Sequence, residues 1–273
     1  MAESGSSPYV LSDQDEREIA RLAKQHEIWR RETTRMLDAA GIGPGQRVLE
    51  LGCGPGYLAS DLAERVGPDG EVLGVDQSEA MVGFLRRRAE EKGQAQLRGE
   101  VANVSELDLT AAGFDAVVSR WTLMFVSDAE RTIELAARAL RPGGVFATME
   151  YAAFRGIRLW PGGAYFRSIY LAVHELLTSA GGDPDVGGKA PSYLHAAGLE
   201  VEETIPIWRV DAPGSELWRW IEGTHVNLHL LAERGLATLD DIESYLAEWQ
   251  RHARDPGARL GAPPLLITVA RKR

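Results

Sequence analysis

The stretch VLELGCGPGYLA, residues 48–59, constrains the fold more than any other part of this chain. An apolar run ending in an acid turns through Gly52, Gly54 and Gly56 and passes directly into helix formers. Glycine reaches positive φ at little cost and lets a ligand approach the backbone, while the start of a helix offers free N–H groups. The same rhythm continues downstream. RVLEL (47–51), EVLGVD (71–76), a segment near 96–102, FDAVVSR (114–120) and VFATMEY (145–151) read as strands. Between them lie amphipathic helices: one from about 58 to 66 with Leu58, Leu62 and Val66 on one face, one from Ser78 to about Lys92, and one across DAERTIELAARAL before the turn RPGG. Continuous β-branched runs alternating with such helices predict a parallel sheet covered on both faces, a doubly wound Rossmann-like α/β fold.

The flanks follow other rules. Residues 1–40 read as a short tail and a helical lid: Ser12 and Asp15 resemble a capping box, and Ile19, Leu22, His26, Trp29, Met36 and Leu37 recur near helical spacing up to Gly41. Residues 41–151 form the predicted core. Segments 152–190 and 211–258 read as helical insertions, and 191–210 and 259–273 as the helix and strands that close the sheet. Both insertions follow core strands and would emerge at their carboxyl ends, where doubly wound sheets bind ligands. They are expected to form a cap.

Composition narrows the partner. The formal net charge is −10, with four lysines among 30 basic residues, so a nucleic-acid groove has no electrostatic support. No apolar run approaches the roughly 20 residues of a membrane span. The start, MAESGSSPYV, has neither a basic nor an apolar signal region, so cytoplasm is the expected location. Cys53 is the single cysteine, which excludes an internal disulfide and a cysteine-based zinc site, and makes it a small filler in the loop. A small-molecule partner is expected, with no nucleic acid, membrane or metal; oligomeric state leaves no signature in the sequence.

The glycine turn also excludes ligands. A phosphate-binding P-loop needs a lysine and a Ser or Thr at the helix start, and GCGPGYLAS has no lysine. A dinucleotide loop wants G-x-G-x-x-G, and in this chain the third glycine comes one position early, with Tyr57 in its place. The spacing Gly52, Gly54, Gly56 after Glu50, with Asp76 ending the next strand, resembles instead the class I S-adenosylmethionine-dependent methyltransferases, in particular the ubiquinone/menaquinone group and the related tailoring enzymes of bacterial secondary metabolism. The resemblance covers roughly residues 36–151. It implies a seven-stranded sheet, an S-adenosylmethionine cofactor released as S-adenosylhomocysteine, and a set of contacts. Asp76 would bind the ribose hydroxyls, Gln77 would border the adenosine, and Met81 would pack on the adenine. Asn103 and the backbone of Val104 would reach the adenine amine; the family often has Asp where this chain has Asn103. Arg120 would lie near the methionine portion, and Tyr9 or His26 would close over the cofactor from the N-terminal segment. Glu50 suits such a ligand electrostatically, since it favours an ammonium and a sulfonium and would repel a pyrophosphate.

The methyl acceptor is sought after Tyr151, which is followed by five of the seven tryptophans and five of the six histidines. Trp160, Tyr165, Phe166, Tyr170, Trp208, Trp218 and Trp220 are candidates for an aromatic pocket, each equally able to serve as cap core. An aromatic or heteroaromatic ring, phenol- or indole-like, fits such a lining, with C, N and O transfer all open. Positioning alone can suffice for transfer; where the acceptor carries a proton, His174, Tyr170, His225 and His229 are the candidate bases. His225 and His229 would share one face of a helix, and HVNLH lacks the glutamate of a zinc protease. Two rivals remain: a cofactor-binding scaffold that catalyses a rearrangement without methyl transfer, and a nicotinamide-dependent oxidoreductase. No tyrosine is followed four residues later by lysine, which counts against the second.

Overall fold

The computed structural model describes residues 16–107, 109 and 113–273. Helices α1 (Glu16–Ile28) and α2 (Arg30–Ala39) precede the core. The core then alternates β1 (Arg47–Leu51), α3 (Tyr57–Val66), β2 (Glu71–Asp76), α4 (Glu79–Glu91), β3 (Leu97–Val101), β4 (Phe114–Arg120), α5 (Ala129–Ala139) and β5 (Leu140–Tyr151). Beyond it come β6 (Arg158–Trp160), α6 (Ala164–Ser179), α7 (Ala190–Ala196), β7 (Leu199–Ile207), β8 (Val210–Asp211), α8 (Glu216–Thr224), α9 (His229–Glu233), α10 (Leu239–Ala253), β9 (Arg259–Gly261) and β10 (Leu265–Lys272).

Seven strands make the main sheet in the order β3-β2-β1-β4-β5-β10-β7. The first five pair in parallel, and β10 runs antiparallel between β5 and β7. Four of the five β1 residues are buried, as expected of a strand covered on both faces. The chain goes from β1 outward through β2 to β3, then returns to the other side of β1 to place β4. The strand order reverses between β1 and β4, and the crevice at their carboxyl ends is where such folds bind ligands.

Local chemistry sets the boundaries. Ser78 caps α4 by accepting a hydrogen bond from the Met81 amide at 3.2 Å. Gly56, at φ +80°, opens α3, and a Cβ there would press on Leu85. The RPGG turn lies inside β5, where pairing with β4 shifts register between Phe114 and Ala116.

The cap holds two features not expected from sequence. Strands β6, β9 and β8 form a separate three-stranded antiparallel sheet, so residues 259–261 pair there and not in the main sheet. The expected helix carrying both His225 and His229 is divided: residues His225–Asn227 form a 3-10 turn and α9 begins at His229. Helices α6 and α10 pack together around Phe166, Trp218, Tyr245 and Trp249, with the Trp218 and Trp249 rings 4.4 Å apart. Among the described residues no helix is long and apolar enough to cross a membrane, and no three potential ligands gather to hold a metal.

Candidate active site

A cavity of about 290 Å³ opens at the switch between β1 and β4 and runs from the sheet into the cap. Its two ends differ in chemistry. At the sheet end the wall is Glu50, Gly52, Gly54, Asp76, Gln77, Met81, Asn103, Val104 and Arg120, nine of the residues expected at the cofactor. Gly52 and Gly54 hold positive φ (+64° and +51°), and a Cβ on Gly52 would stand 2.3 Å from the Thr122 side chain. The turn is thus open to glycine alone. Asp76 fixes it from the neighbouring strand: one carboxylate oxygen accepts from the Gly54 amide and the other from the Ser78 amide, each at 2.9 Å. A carboxylate has about four acceptor positions, so both oxygens retain capacity for a diol.

Glu50 is 3% exposed, and among the described residues its Oε2 has no hydrogen-bond partner. Burial drives its carboxyl well above the usual range, against the opposing pull of Arg120. A buried acid oxygen without a donor is costly, and a ligand ammonium would relieve it. Arg120 is held by Thr33 Oγ1 at 2.8 Å and by His26 Nδ1 at 3.2 Å. Burial lowers its pKa to about 10, so it stays cationic at neutral pH. His26 itself does not line the cavity. Its Nε2 lies 3.2 Å from Asp61, its ring stacks on Tyr57, and burial lowers its pKa. It therefore stands behind Arg120. Gly56 likewise lies behind the wall, and Tyr9 falls outside the described residues. Cys53 lines the turn, with burial pushing its thiol up, away from the reactive thiolate.

The cap end is mostly apolar, with Arg21, Gln25, Thr224 and Asn227 as its polar groups. Trp121, Tyr151, Phe154, Ile169, Tyr170, Val173 and Trp220 line it, and α1 contributes Arg21, Leu22 and Gln25. Of the seven aromatics expected there, Tyr170 and Trp220 arrive. Phe166 and Trp218 are buried in the cap core, whereas Trp160, Trp208 and Tyr165 are exposed. Trp160 and Trp208 pair edge to face beside the small sheet. None of the three histidines reaches the cavity wall. His229 is exposed, its Nδ1 2.9 Å from the Val226 carbonyl. His174 lies against Arg155 and Asp185. His225 points at Tyr245, its Nε2 2.7 Å from the phenol oxygen.

Two residues passed over in the sequence shape the site. Trp121 adopts φ +52°, a strained conformation for a bulky residue, and presents its ring to the cavity. Glu150, fully buried on β5, holds that loop: its Oε1 accepts from the Thr122 amide at 2.9 Å and the Leu123 amide at 3.0 Å. Thr122 in turn donates through Oγ1 to the Leu51 carbonyl at the start of the glycine turn. Burial raises the Glu150 pKa to about 7. The signal was an acid inside the apolar run VFATMEY, which a buried strand tolerates only with partners.

Residues 42–159 match the model of the methyltransferase domain family. The chain is 29% identical over 220 residues to a nocamycin O-methyltransferase of Saccharothrix syringae, covering 75% of this chain and 79% of that one. It is 32% identical over 142 residues to a demethylmenaquinone methyltransferase of Lactococcus lactis, covering 52% of this chain and 55% of that one. The chain thus spans about half the length of the demethylmenaquinone methyltransferases it matches. Among solved structures, the [4+2]-cyclase SpnF superposes with a TM-score of 0.57 at 21% identity, covering 89% of this chain and 80% of that one, a likeness of fold.

Proposed function

Residues 42–159 match the model of the methyltransferase domain family, and on that match we propose that this protein transfers the methyl group of S-adenosylmethionine to a small, largely apolar aromatic or heteroaromatic acceptor of secondary metabolism. The observation that carries the reading is the two-ended cavity. Its sheet end fits the cofactor by the chemistry of its residues: Glu50 Oε2 lacks a donor that an ammonium would supply, and Asp76 presents a carboxylate oriented by two backbone amides. Gln77, Met81, Asn103 and Val104 would flank the adenosine, and Gly52 and Gly54 leave room for the amino-acid end. When bound, the cofactor supplies an electrophilic methyl whose leaving group is a neutral thioether.

The protein's own task is then alignment and exclusion of water. Residues 41–151 hold the cofactor, and segments 152–190 and 211–258 close over the acceptor as a cap. Trp121, Tyr151, Phe154, Tyr170 and Trp220 offer flat apolar faces that suit an aromatic ring. Tyr170 is the candidate base residue whose side chain lines the cavity.

Incubating the protein with S-adenosylmethionine and a panel of phenols and indoles, followed by mass spectrometry of the products, tests the reading. Gain of one methyl by an acceptor supports it. Conversion of an acceptor without change of mass, dependent on bound cofactor, would establish the scaffold reading in its place.

A further inference from the structure

His26 of α1 and Thr33 of α2 grip one guanidinium from behind the cavity wall. Arg120, at the carboxyl end of β4, donates through Nη1 to Thr33 Oγ1 at 2.8 Å and through Nη2 to His26 Nδ1 at 3.2 Å. Its guanidinium carbon also lies 5.5 Å from the centre of the Trp121 ring. Each partner is polarised for this contact. The Thr33 hydroxyl donates its hydrogen to the Trp29 carbonyl at 2.9 Å, so towards Arg120 it accepts. A guanidinium can only donate, so His26 Nδ1 is the unprotonated ring nitrogen and the proton sits on Nε2, 3.2 Å from Asp61 of α3. Tyr57 stacks on the His26 ring, and Arg30 of α2 approaches the other oxygen of Asp61 at 3.7 Å. Burial and the Arg120 and Arg30 charges hold the His26 pKa down against the pull of Asp61, which keeps the ring neutral.

We propose that His26 is a positioning residue: neutral, it holds the Arg120 guanidinium where it pairs with the α-carboxylate of S-adenosylmethionine. This rests on the cofactor assignment above. Two charges at the sheet end match the two charges of an α-amino acid. Glu50, whose Oε2 lacks a donor among the described residues, suits the ammonium. Arg120 lines the same wall, and beyond the contacts with Thr33 and His26 its N–H groups have no hydrogen-bond partner among the described residues, which suits the carboxylate. Towards the sulfonium the guanidinium is only repulsive, so the carboxylate is the part of the cofactor it favours.

Arginine is long and rich in rotamers, and fixing both Nη atoms beforehand spares the ligand that ordering cost. A protonated His26 would turn Nδ1 into a donor and set a second cation against Arg120, so the grip requires the neutral ring. Through it α1 and α2 act on the cofactor without touching it.

The test is calorimetry with two probes: S-adenosylhomocysteine, and 5′-methylthioadenosine, which keeps the nucleoside and thioether but has no amino-acid end. His26→Leu should weaken S-adenosylhomocysteine at least about tenfold, the scale of a charge-assisted hydrogen bond, and leave 5′-methylthioadenosine nearly unchanged. Thr33→Val keeps the side-chain shape, removes the other grip and should show the same selectivity. His26→Gln offers an amide oxygen to Arg120 and an N–H to Asp61, and should recover most of the affinity that His26→Leu loses. In an Arg120→Met background, His26→Leu should cost no more than about twofold, because its effect runs through the guanidinium. Equal weakening of both probes, unchanged S-adenosylhomocysteine affinity in His26→Leu, or the full loss repeated in the Arg120→Met background would overturn the proposal. Wild-type protein that fails to bind S-adenosylhomocysteine would instead refute the cofactor assignment on which it rests.

Discussion

The two ends of the cavity are built by different means. At the sheet end the ligand-facing groups sit on short turns whose shape is dictated by backbone: Gly52 and Gly54 at positive φ, and Asp76 gripping the amides of Gly54 and Ser78. At the cap end the lining is side chains brought together from α1, α6, α8 and the ends of β4 and β5. Backbone geometry admits few substitutes, whereas an apolar wall can be repacked at modest cost. The first end is therefore suited to one invariant ligand, and the second to a variable one.

That contrast can be broken experimentally, starting where the effect is largest. Gly52→Ala puts a Cβ onto Thr122 at a positive φ, and S-adenosylhomocysteine affinity measured by calorimetry should fall at least about a hundredfold, the scale of about 3 kcal/mol. Val173→Trp fills the apolar end; turnover should drop by on the order of a hundredfold through overpacking of the acceptor site, while S-adenosylhomocysteine affinity stays near wild type. Equal loss of both would show that the ends are not separable. Asp76→Ala removes charge-assisted contacts worth about 1.5–3 kcal/mol, so cofactor affinity should weaken about tenfold to a hundredfold, and the melting temperature should fall as well because the Gly54 and Ser78 amides lose their acceptor.

Glu150→Ala leaves two loop amides without their acceptor and should cost about 2 kcal/mol in denaturant unfolding. Glu150→Gln keeps an acceptor oxygen and should cost less. The pH dependence gives the smallest signal. The native Glu150 carboxyl keeps its proton up to about pH 7, above its ordinary value of 4.5. The unfolded chain releases that proton first, so this group's contribution is fully present below the lower value and declines as pH rises through the interval. A melting series should show that decline in wild type and its absence in Glu150→Gln.

The sheet end was legible because its function is written in consecutive residues. Glycine spacing after a strand and an acid closing the next strand are local signals, and Ser78 marked the helix start. The cap end was not. Trp121, Tyr151 and Phe154 look in sequence like any apolar residues at strand ends. What places Trp121 in the cavity is a φ of +52°, supported by the grip of Glu150 on the adjacent Thr122 amide, 28 positions away in the chain. The strands of the small sheet are two or three residues long and come from distant segments, too short for any periodicity to reveal. His225 and His229 were paired by an assumed continuous helix; the 3-10 turn rotates them apart, one towards Tyr245 and the other to the surface. Tyr245, the partner of His225, carried no local mark.

That the sheet end of the cavity holds the amino-acid and nucleoside parts of a sulfonium cofactor is tested most directly by a calorimetric titration with S-adenosylhomocysteine, with NAD run in parallel. Micromolar binding of the first, on the order of −8 kcal/mol, and no heat from the second are expected. Binding of NAD with no response to S-adenosylhomocysteine would contradict the cofactor-binding roles of Gly52, Gly54, Glu50 and Asp76.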